Sequence, residues 1–495
     1  MSQIKWNENL SLEAKFKAFP YQMEAFSAVK DLDYCAIFHE QGLGKTKIAI
    51  DLALYWIANK NIDCVMIVTK KQLVNNWVNE IASHTFIKPK VMDSNKGNNY
   101  RVMNSASRII VTNFETVVSE QERMELFLKS RDVAIVIDES TKLKNPDAKL
   151  TKVFFALSKL FKIRSIMTGT PVANRPYDIW AQIYFLDGGK SLGDDFYEFK
   201  KNTDLSNKLA SNKDARRDFE DSVGSIYSSI ASFTVRETKR TCGIKLPQKI
   251  YLRIEAEFEE RQAILYRSII SDLSVEIKRN GSVYLDDDTE ALKRLLRLNQ
   301  VASNPKLIDE SYNSESGKEK ALSKLLLDIN NRGEKCIVWS CYIENIDYFA
   351  EKYGEYNPRK IHGSMTIEER NKSVDIFKND PACKVLFATP QAAKEGLTLT
   401  VANNAIFYDR TFNLDDYLQA QDRIHRISQE KECNIYNIVI ENSIDRWIDA
   451  LLSAKQYAAF LAQGDIDRNN YRNEIDYSYG QIIKEILEEG NLLDG

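Results

Sequence analysis

No window of the chain approaches the ~18 uninterrupted apolar residues that a membrane-spanning helix needs, so no membrane contact is expected. The opening MSQIKWNENL lacks the apolar centre of a signal peptide, and the expected location is intracellular. An Asn-, Lys- and Ile-rich composition points to a bacterium or a phage-infected cell. Cysteine is sparse and scattered: seven stand at 35, 64, 242, 336, 341, 383 and 433, with no CxxC pair and only four histidines beside them. That excludes a disulfide framework and a zinc site. Excess positive charge is missing too. A formal net charge of −3 leaves no polycationic coat, so any nucleic-acid contact has to come from local basic surfaces.

What the 495 residues do contain is an alternation of strand-length apolar runs with helix-period segments, enough for about three domain-sized units. In the first half the runs are YCAIF (34–38), CVMIVT (64–69), RIIVT (108–112), VAIVID (133–138) and RSIMT (164–168). Between them lie segments such as LVNNWVNEI, in which Leu73, Val74, Trp77 and Ile81 recur at helical spacing. The pattern predicts an α/β fold with a doubly wound parallel sheet, whose ligand sits at the carboxyl ends of the strands. Thr69, Thr112, Asp138 and Thr168 each end a run there. A second alternating unit follows with CIVWS (336–340), RKIHG (359–363), KVLFAT (384–389), NAIFYD (404–409) and NIYNIVI (434–440).

The chemistry concentrates in HEQGLGKT, His39 to Thr46, set between a strand run and a helical segment. Gly42 and Gly44 let the backbone turn its N–H groups toward a phosphate, Lys45 supplies a cation for the outer phosphates, and Thr46 offers a hydroxyl to magnesium. With Gln41 and Leu43 these residues form a candidate ATP cradle, in which His39 stands where the general pattern has Gly. Upstream, Gln22 in FPYQMEAF both donates and accepts, as the N6 and N7 edge of adenine requires; a surface Gln at a helix start is the alternative. About ninety residues beyond the loop, VIDES delivers Asp138 and Glu139 to the same edge. One carboxylate can hold magnesium through water, a role given to Asp138, while the other polarises the water that attacks the γ-phosphate.

These motifs occur in a recognisable order: QGLGKT, VTKKQLVNNW (68–77), TNFET (112–116), DEST with KLKN (138–145), MTGTPVANRPYDIW (167–180), ATPQAAKEGLTLT (388–400) and QAQDRIHRISQ (419–429). From about Phe19 to about Ile444 the chain resembles the Swi/Snf-like ATPases, the double-stranded-DNA translocases of helicase superfamily 2. The resemblance implies two RecA-like doubly wound parallel-sheet lobes with helical insertions, ATP and magnesium as cofactors, and duplex DNA as the track. It adds Gly396 to the nucleotide-binding set and makes Lys70, Asn113, Thr168 and Thr389 candidates for DNA phosphates. In the second lobe Gln419, Arg423 and Arg426, at i, i+4 and i+7 of an expected helix, share a face on which the arginines can stabilise phosphate charge. Two departures stand out: Thr141 where the family usually has His, and TPVANRP in place of TP, hydrophobic, Gln-Asn.

The expected division is a first lobe over 1–184, a helical protrusion over 185–235, an interlobe linker and second helical insertion over 236–312, a second lobe over 313–444 and an acidic helical tail over 445–495. Within the linker, RETKRTCGIKLPQK (236–249) carries five cations against one acid and is a further candidate phosphate contact. DDFYEFK superficially resembles a nuclease acid-x-Lys pattern, but no strand delivers it. The tail, with net charge −5 from Gly464 onward, suits a brace for the second lobe or a protein partner, not DNA. The expected activity is an ATP-dependent motor that moves along double-stranded DNA or remodels protein–DNA complexes. Alternatives are a strand-separating DNA or RNA helicase, the motor subunit of a restriction or defence complex, and a nucleotide-gated DNA-binding platform that hydrolyses weakly.

Overall fold

The computed structural model describes residues 11–243, 246–280, 289–392, 397–426, 428–475 and 477–482. The chain divides into two compact units: Met1–Asp204 with Asp218–Lys245 and Ala459–Arg468, and Leu205–Arg217 with Leu246–Ala458 and Asn469–Gly495. Among the described residues no helix is long and apolar enough to cross a membrane.

The first unit is built on seven parallel strands: β1 (Tyr34–Ile37), β2 (Cys64–Thr69), β3 (Lys90–Val91), β4 (Ile109–Asn113), β5 (Val133–Asp138), β6 (Ile163–Met167) and β7 (Thr234–Val235). Their order across the sheet is β3-β4-β2-β5-β6-β1-β7. β2 and β5 are buried along their whole length, which is why they read as unbroken Val, Ile and Met runs and not as an alternation. The helix Lys45–Asn59 starts at Gly44, whose left-handed backbone (φ 69°) breaks the path from β1. It buries Ile48, Leu52, Ala53 and Trp56 in the core that also holds Val65, Ile67, Ala134 and Val136 of the sheet. Trp56 is fully buried, so Trp56→Ala costs about 3–5 kcal/mol and would loosen the helix that carries the loop. Parallel register sets Thr69 beside Asn113 and Asp138 beside Met167, so the polar strand ends do form one edge.

The second unit has six parallel strands, β8 (Lys249–Ala256), β9 (Cys336–Trp339), β10 (Arg359–Ile361), β11 (Val385–Ala388), β12 (Asn404–Phe407) and β13 (Cys433–Ile440), in the order β10-β11-β9-β12-β13-β8. β8 corrects the sequence-based division. Residues expected to be linker pair with β13 over its whole length, from Lys249 beside Cys433 to Ala256 beside Ile440. An edge strand is half solvated, so Ile250, Leu252 and Ile254 alternate with the exposed Tyr251, Arg253 and Glu255. The helices Glu260–Asn280 and Thr289–Ser303 are tied to this unit by buried polar bonds. Asn299 donates to the Arg410 carbonyl (3.1 Å) and Ser303 Oγ donates to Asp409 (2.7 Å).

The expected acidic tail is core over much of its described length. The helix Ile444–Ala462 buries Trp447, Ile448, Leu451 and Leu452, and its Asp445 pairs at 2.8 Å with Lys318, both side chains sealed from solvent. Beyond it Asp465 belongs to the first unit, where it holds Arg236 through two bonds (2.7 and 2.5 Å). The further apolar positions of the tail, Ile483, Ile486 and Leu487, lie outside the described residues.

Candidate active site

The loop between β1 and the helix Lys45–Asn59 is shaped by backbone conformation. Gly42 and Gly44 both have positive φ (88° and 69°), a region that L side chains rarely adopt. A Cβ on Gly44 would also lie 2.3 Å from Gln22 Nε2. Gln22 is buried and spans two elements: its Nε2 donates to the Leu43 carbonyl (3.1 Å) and its Oε1 accepts from the Phe19 N–H (2.9 Å). It therefore fastens the helix Pro20–Val29 to the loop, with its amide beside Gly44.

Lys45 Nζ donates to the carbonyls of His39 (2.9 Å) and Glu40 (3.3 Å), so the loop folds around its own cation. Burial lowers the ammonium from its ordinary value, and the nearby Glu139 and Asp138 oppose that shift. Gly169, after β6, keeps this side open, since a Cβ there would stand 2.5 Å from Gln41 Cγ and 3.4 Å from Lys45 Nζ. The helix start has no acidic residue in its first turn and no side-chain cap, which leaves its N–H groups for an anion. His39 is fully buried and its pKa falls to about 4, because burial disfavours the imidazolium and Lys45 repels it, so the ring is neutral at pH 7.

At the end of β5, Asp138 Oδ2 accepts from Trp77 Nε1 (2.8 Å) and Thr69 Oγ1 (3.1 Å), while Oδ1 accepts from the Glu139 N–H (2.9 Å). Burial and the Glu139 charge push its pKa up to about 6. Glu139 has a left-handed backbone (φ 55°), costing about 1–2 kcal/mol for a residue with a Cβ. That strain turns the chain off the strand at the point where a carboxylate is wanted. Thr46 stands in the first turn of the helix and Asp138 ends β5, each carrying an oxygen donor at this sheet edge. Ser140 donates to Gln182 (2.7 Å), which in turn donates to the Pro171 carbonyl (2.8 Å), tying the carboxylate strand to the segment after β6.

In the second unit the expected helical face over 419–426 is not formed. The helix Leu414–Gln421 ends before either arginine, with Gln419 inside it and bonded to Asp415 (2.8 Å). The carbonyls that would continue the helix are used elsewhere: Arg423 O accepts from the Leu399 N–H (2.9 Å), and Ile424 O accepts from Gln429 Nε2 (2.9 Å). Arg423 is buried with a long bond to the Leu397 carbonyl (3.5 Å). Arg426 donates to Thr398 Oγ1 (2.8 Å) and to the Asp422 carbonyl (3.2 Å), and burial lowers its pKa. Residues 397–400 and the arginine turn thus form one platform within this unit. Gly396 lies outside the described residues.

The side chains expected to meet DNA are mostly engaged inside the protein. Asn113 caps the helix Phe114–Ser119 by accepting from the Thr116 N–H (2.9 Å), Thr168 is fully buried and accepts from the Thr170 N–H (3.3 Å), and Thr389 is buried. Lys70 pairs with Glu139 at 3.3 Å. Sequence reasoning missed Trp77 as an Asp138 donor, Gly169 as the open side of the loop, and Arg236, which donates to the Phe38 carbonyl (2.7 Å) next to the loop instead of reaching outward.

Two parallel-sheet units, one carrying a glycine-shaped cation loop opposite an Asp-Glu strand end, define a nucleotide-binding protein of the phosphate-loop class. The chain belongs to the SNF2-related family: the profile described as SNF2-related domain matches residues 24–307, and that described as helicase conserved C-terminal domain matches 317–428. It is similar to the ISWI chromatin-remodeling complex ATPase ISW2 of Saccharomyces cerevisiae, 26% identical over 435 residues, covering 82% of this chain and 37% of that protein. An uncharacterized ATP-dependent helicase of Mycoplasma genitalium is 25% identical over 449 residues, covering 88% of this chain and 41% of the relative. The chain thus spans about two-fifths of the length of these relatives. Among solved structures it is similar to the Sulfolobus solfataricus SWI2/SNF2 ATPase core in complex with dsDNA, at 22% identity and a TM-score of 0.42, covering 95% of this chain and 99% of that one.

Proposed function

We propose that this chain is a DNA-stimulated ATPase that couples ATP hydrolysis to movement along double-stranded DNA. The observation that carries the proposal is the glycine-turned loop that follows β1 and holds Lys45, at the same sheet edge to which β5 brings Asp138 and Glu139. The loop N–H groups and Lys45 bind the triphosphate, and Gln22 reads the adenine edge from the helix it fastens to the loop. Thr46 and Asp138 would hold magnesium, which when bound neutralises charge on the β- and γ-phosphates. Glu139 accepts a proton from water as the water oxygen bonds to the γ-phosphorus and the bond to the bridging oxygen breaks. Arg423 and Arg426 stabilise phosphate charge during turnover, the role their planar guanidinium groups suit.

Support for a nucleic-acid track comes from family membership and from exposed cations at the strand-end edge. Lys71 is exposed, and Lys142 and Lys144 make long pairs to Glu115 (4.0 Å) and Asp178 (3.9 Å). Such side chains take phosphates without reading sequence. The test is ATP turnover of the full chain with duplex DNA, single-stranded DNA and RNA at fixed salt. Stimulation by duplex, without release of single strands, is expected. Stimulation by single strands or RNA alone overturns the duplex assignment, and no turnover with any of the three leaves a nucleotide-gated binding platform.

A further inference from the structure

Lys70 is the first residue beyond β2, and its ammonium sits 3.3 Å from Glu139 Oε2. The two carboxylates of the strand end are therefore in different situations. Asp138 is fixed by Trp77, Thr69 and a backbone N–H, whereas the Glu139 carboxylate has a cation on a flexible stem as its partner. The backbone of Glu139 is locked in its left-handed turn, so what can change is where its side chain goes. Both members of the pair keep contact with solvent, at 30% and 21% side-chain exposure, so a dissolved or DNA-borne anion can reach the lysine without any unfolding. Lys70 also stands at the edge where Lys71 is exposed, the edge proposed above to meet the DNA backbone. One ammonium thus has two anionic claimants, the proposed proton acceptor and a backbone phosphate. Partly exposed Lys–carboxylate pairs are weak enough to exchange.

We propose that Lys70 is a positioning residue that withholds Glu139 from the attacking water when DNA is absent and yields it when a phosphate of duplex DNA takes the ammonium. The inference rests on the proposed function and names how the track switches on hydrolysis at that site. At this carboxylate, DNA stimulation is then an exchange of ion pairs.

The test compares ATP turnover of the full chain, with and without saturating duplex, for the wild type, Lys70→Met and Lys70→Arg. Lys70→Met frees Glu139, so the DNA-free kcat should rise about fivefold, or about 1 kcal/mol in barrier, at unchanged KM for ATP. The DNA-saturated kcat should stay within about twofold, and the stimulation ratio should fall by the same factor of about five. Lys70→Arg keeps the pair and should restore the wild-type ratio. Added salt weakens an exposed pair, so it should raise DNA-free turnover of the wild type and leave Lys70→Met unmoved, which a purely structural role would not produce. The inference is overturned if Lys70→Met leaves DNA-free kcat unchanged or lowers it, including the case where only the duplex concentration for half-stimulation increases. It is also overturned, without any variant, if wild-type turnover ignores salt. Lys45→Ala run in parallel separates the two levels: retained turnover there defeats the ATPase reading itself, whereas lost turnover with an indifferent Lys70→Met defeats only the switch.

Discussion

The two units place their proposed phosphate cations by opposite means. In the first, the cation is placed by its own neighbourhood: Lys45 bonds carbonyls five and six residues back, and two glycines set the turn. In the second, Arg426 is placed by a partner 28 residues away, the Thr398 hydroxyl, and its turn is held by bonds to a separate segment. A local device is ready whatever the rest of the unit does. A tertiary device is only as well placed as the packing behind it. In the proposed function, the first therefore suits ground-state binding of the triphosphate, and the second suits an interaction made only as the reaction proceeds.

The largest effect that bears on this contrast is Lys45→Ala. Turnover should be lost, by about 10³-fold or more, together with ATP affinity, while the protein stays folded because the glycine turn survives. A soluble variant with near-normal turnover removes the loop from the site. Arg426→Ala should separate the same quantities. DNA-stimulated turnover falls into the range of roughly 10³ seen when an arginine finger is lost, while ATP affinity changes little because the loop and Gln22 are untouched. Equal loss of affinity and turnover would make Arg426 a ground-state ligand and erase the distinction between the units.

That contrast also explains what could be read from the sequence. Gly42, Gly44, Lys45, Asp138 and Glu139 form short contiguous patterns whose physics is local, and the buried strands announce themselves as apolar runs. The end of the helix before Arg423 could not be read, because the competition for its carbonyls comes from Leu399 and Gln429. Asp465 holds Arg236 across 229 residues, and no periodicity in the acidic tail signals it. β8 escaped because an edge strand with Arg253 and Glu255 on its open side looks like a charged linker.

A stability measurement sharpens the picture of the first unit. Asp138 is held well above its ordinary carboxylate range, so the folded state prefers its protonated form and opposes ionisation. The penalty is absent below about pH 4, grows as pH rises to about 6, and is full above that. In metal-free buffer Asp138→Asn removes that penalty but also turns one acceptor of the Trp77, Thr69 and Glu139 bonds into a donor, so its Tm relative to the wild type should be more favourable at pH 7 than at pH 4, while magnesium-dependent turnover is abolished. A Tm difference independent of pH would place the carboxylate in solvent.

The smallest expected effect probes the second unit most directly. Thr398→Val keeps the volume of the side chain but removes the hydroxyl that accepts from Arg426 Nη1. The bond to the Asp422 carbonyl remains, so the guanidinium is loosened and not released. Losing one such bond is worth about 0.5–1.5 kcal/mol, and kcat with duplex should fall between about twofold and tenfold. ATP affinity should not move, since Lys45 is placed within its own loop. In the Arg426→Ala background Thr398→Val should do nothing more, because the hydroxyl acts only through the arginine it holds. If the two substitutions add, Thr398 has a role of its own. If Thr398→Val weakens ATP binding by as much as it slows turnover, the arginine turn is no longer a device separate from the loop.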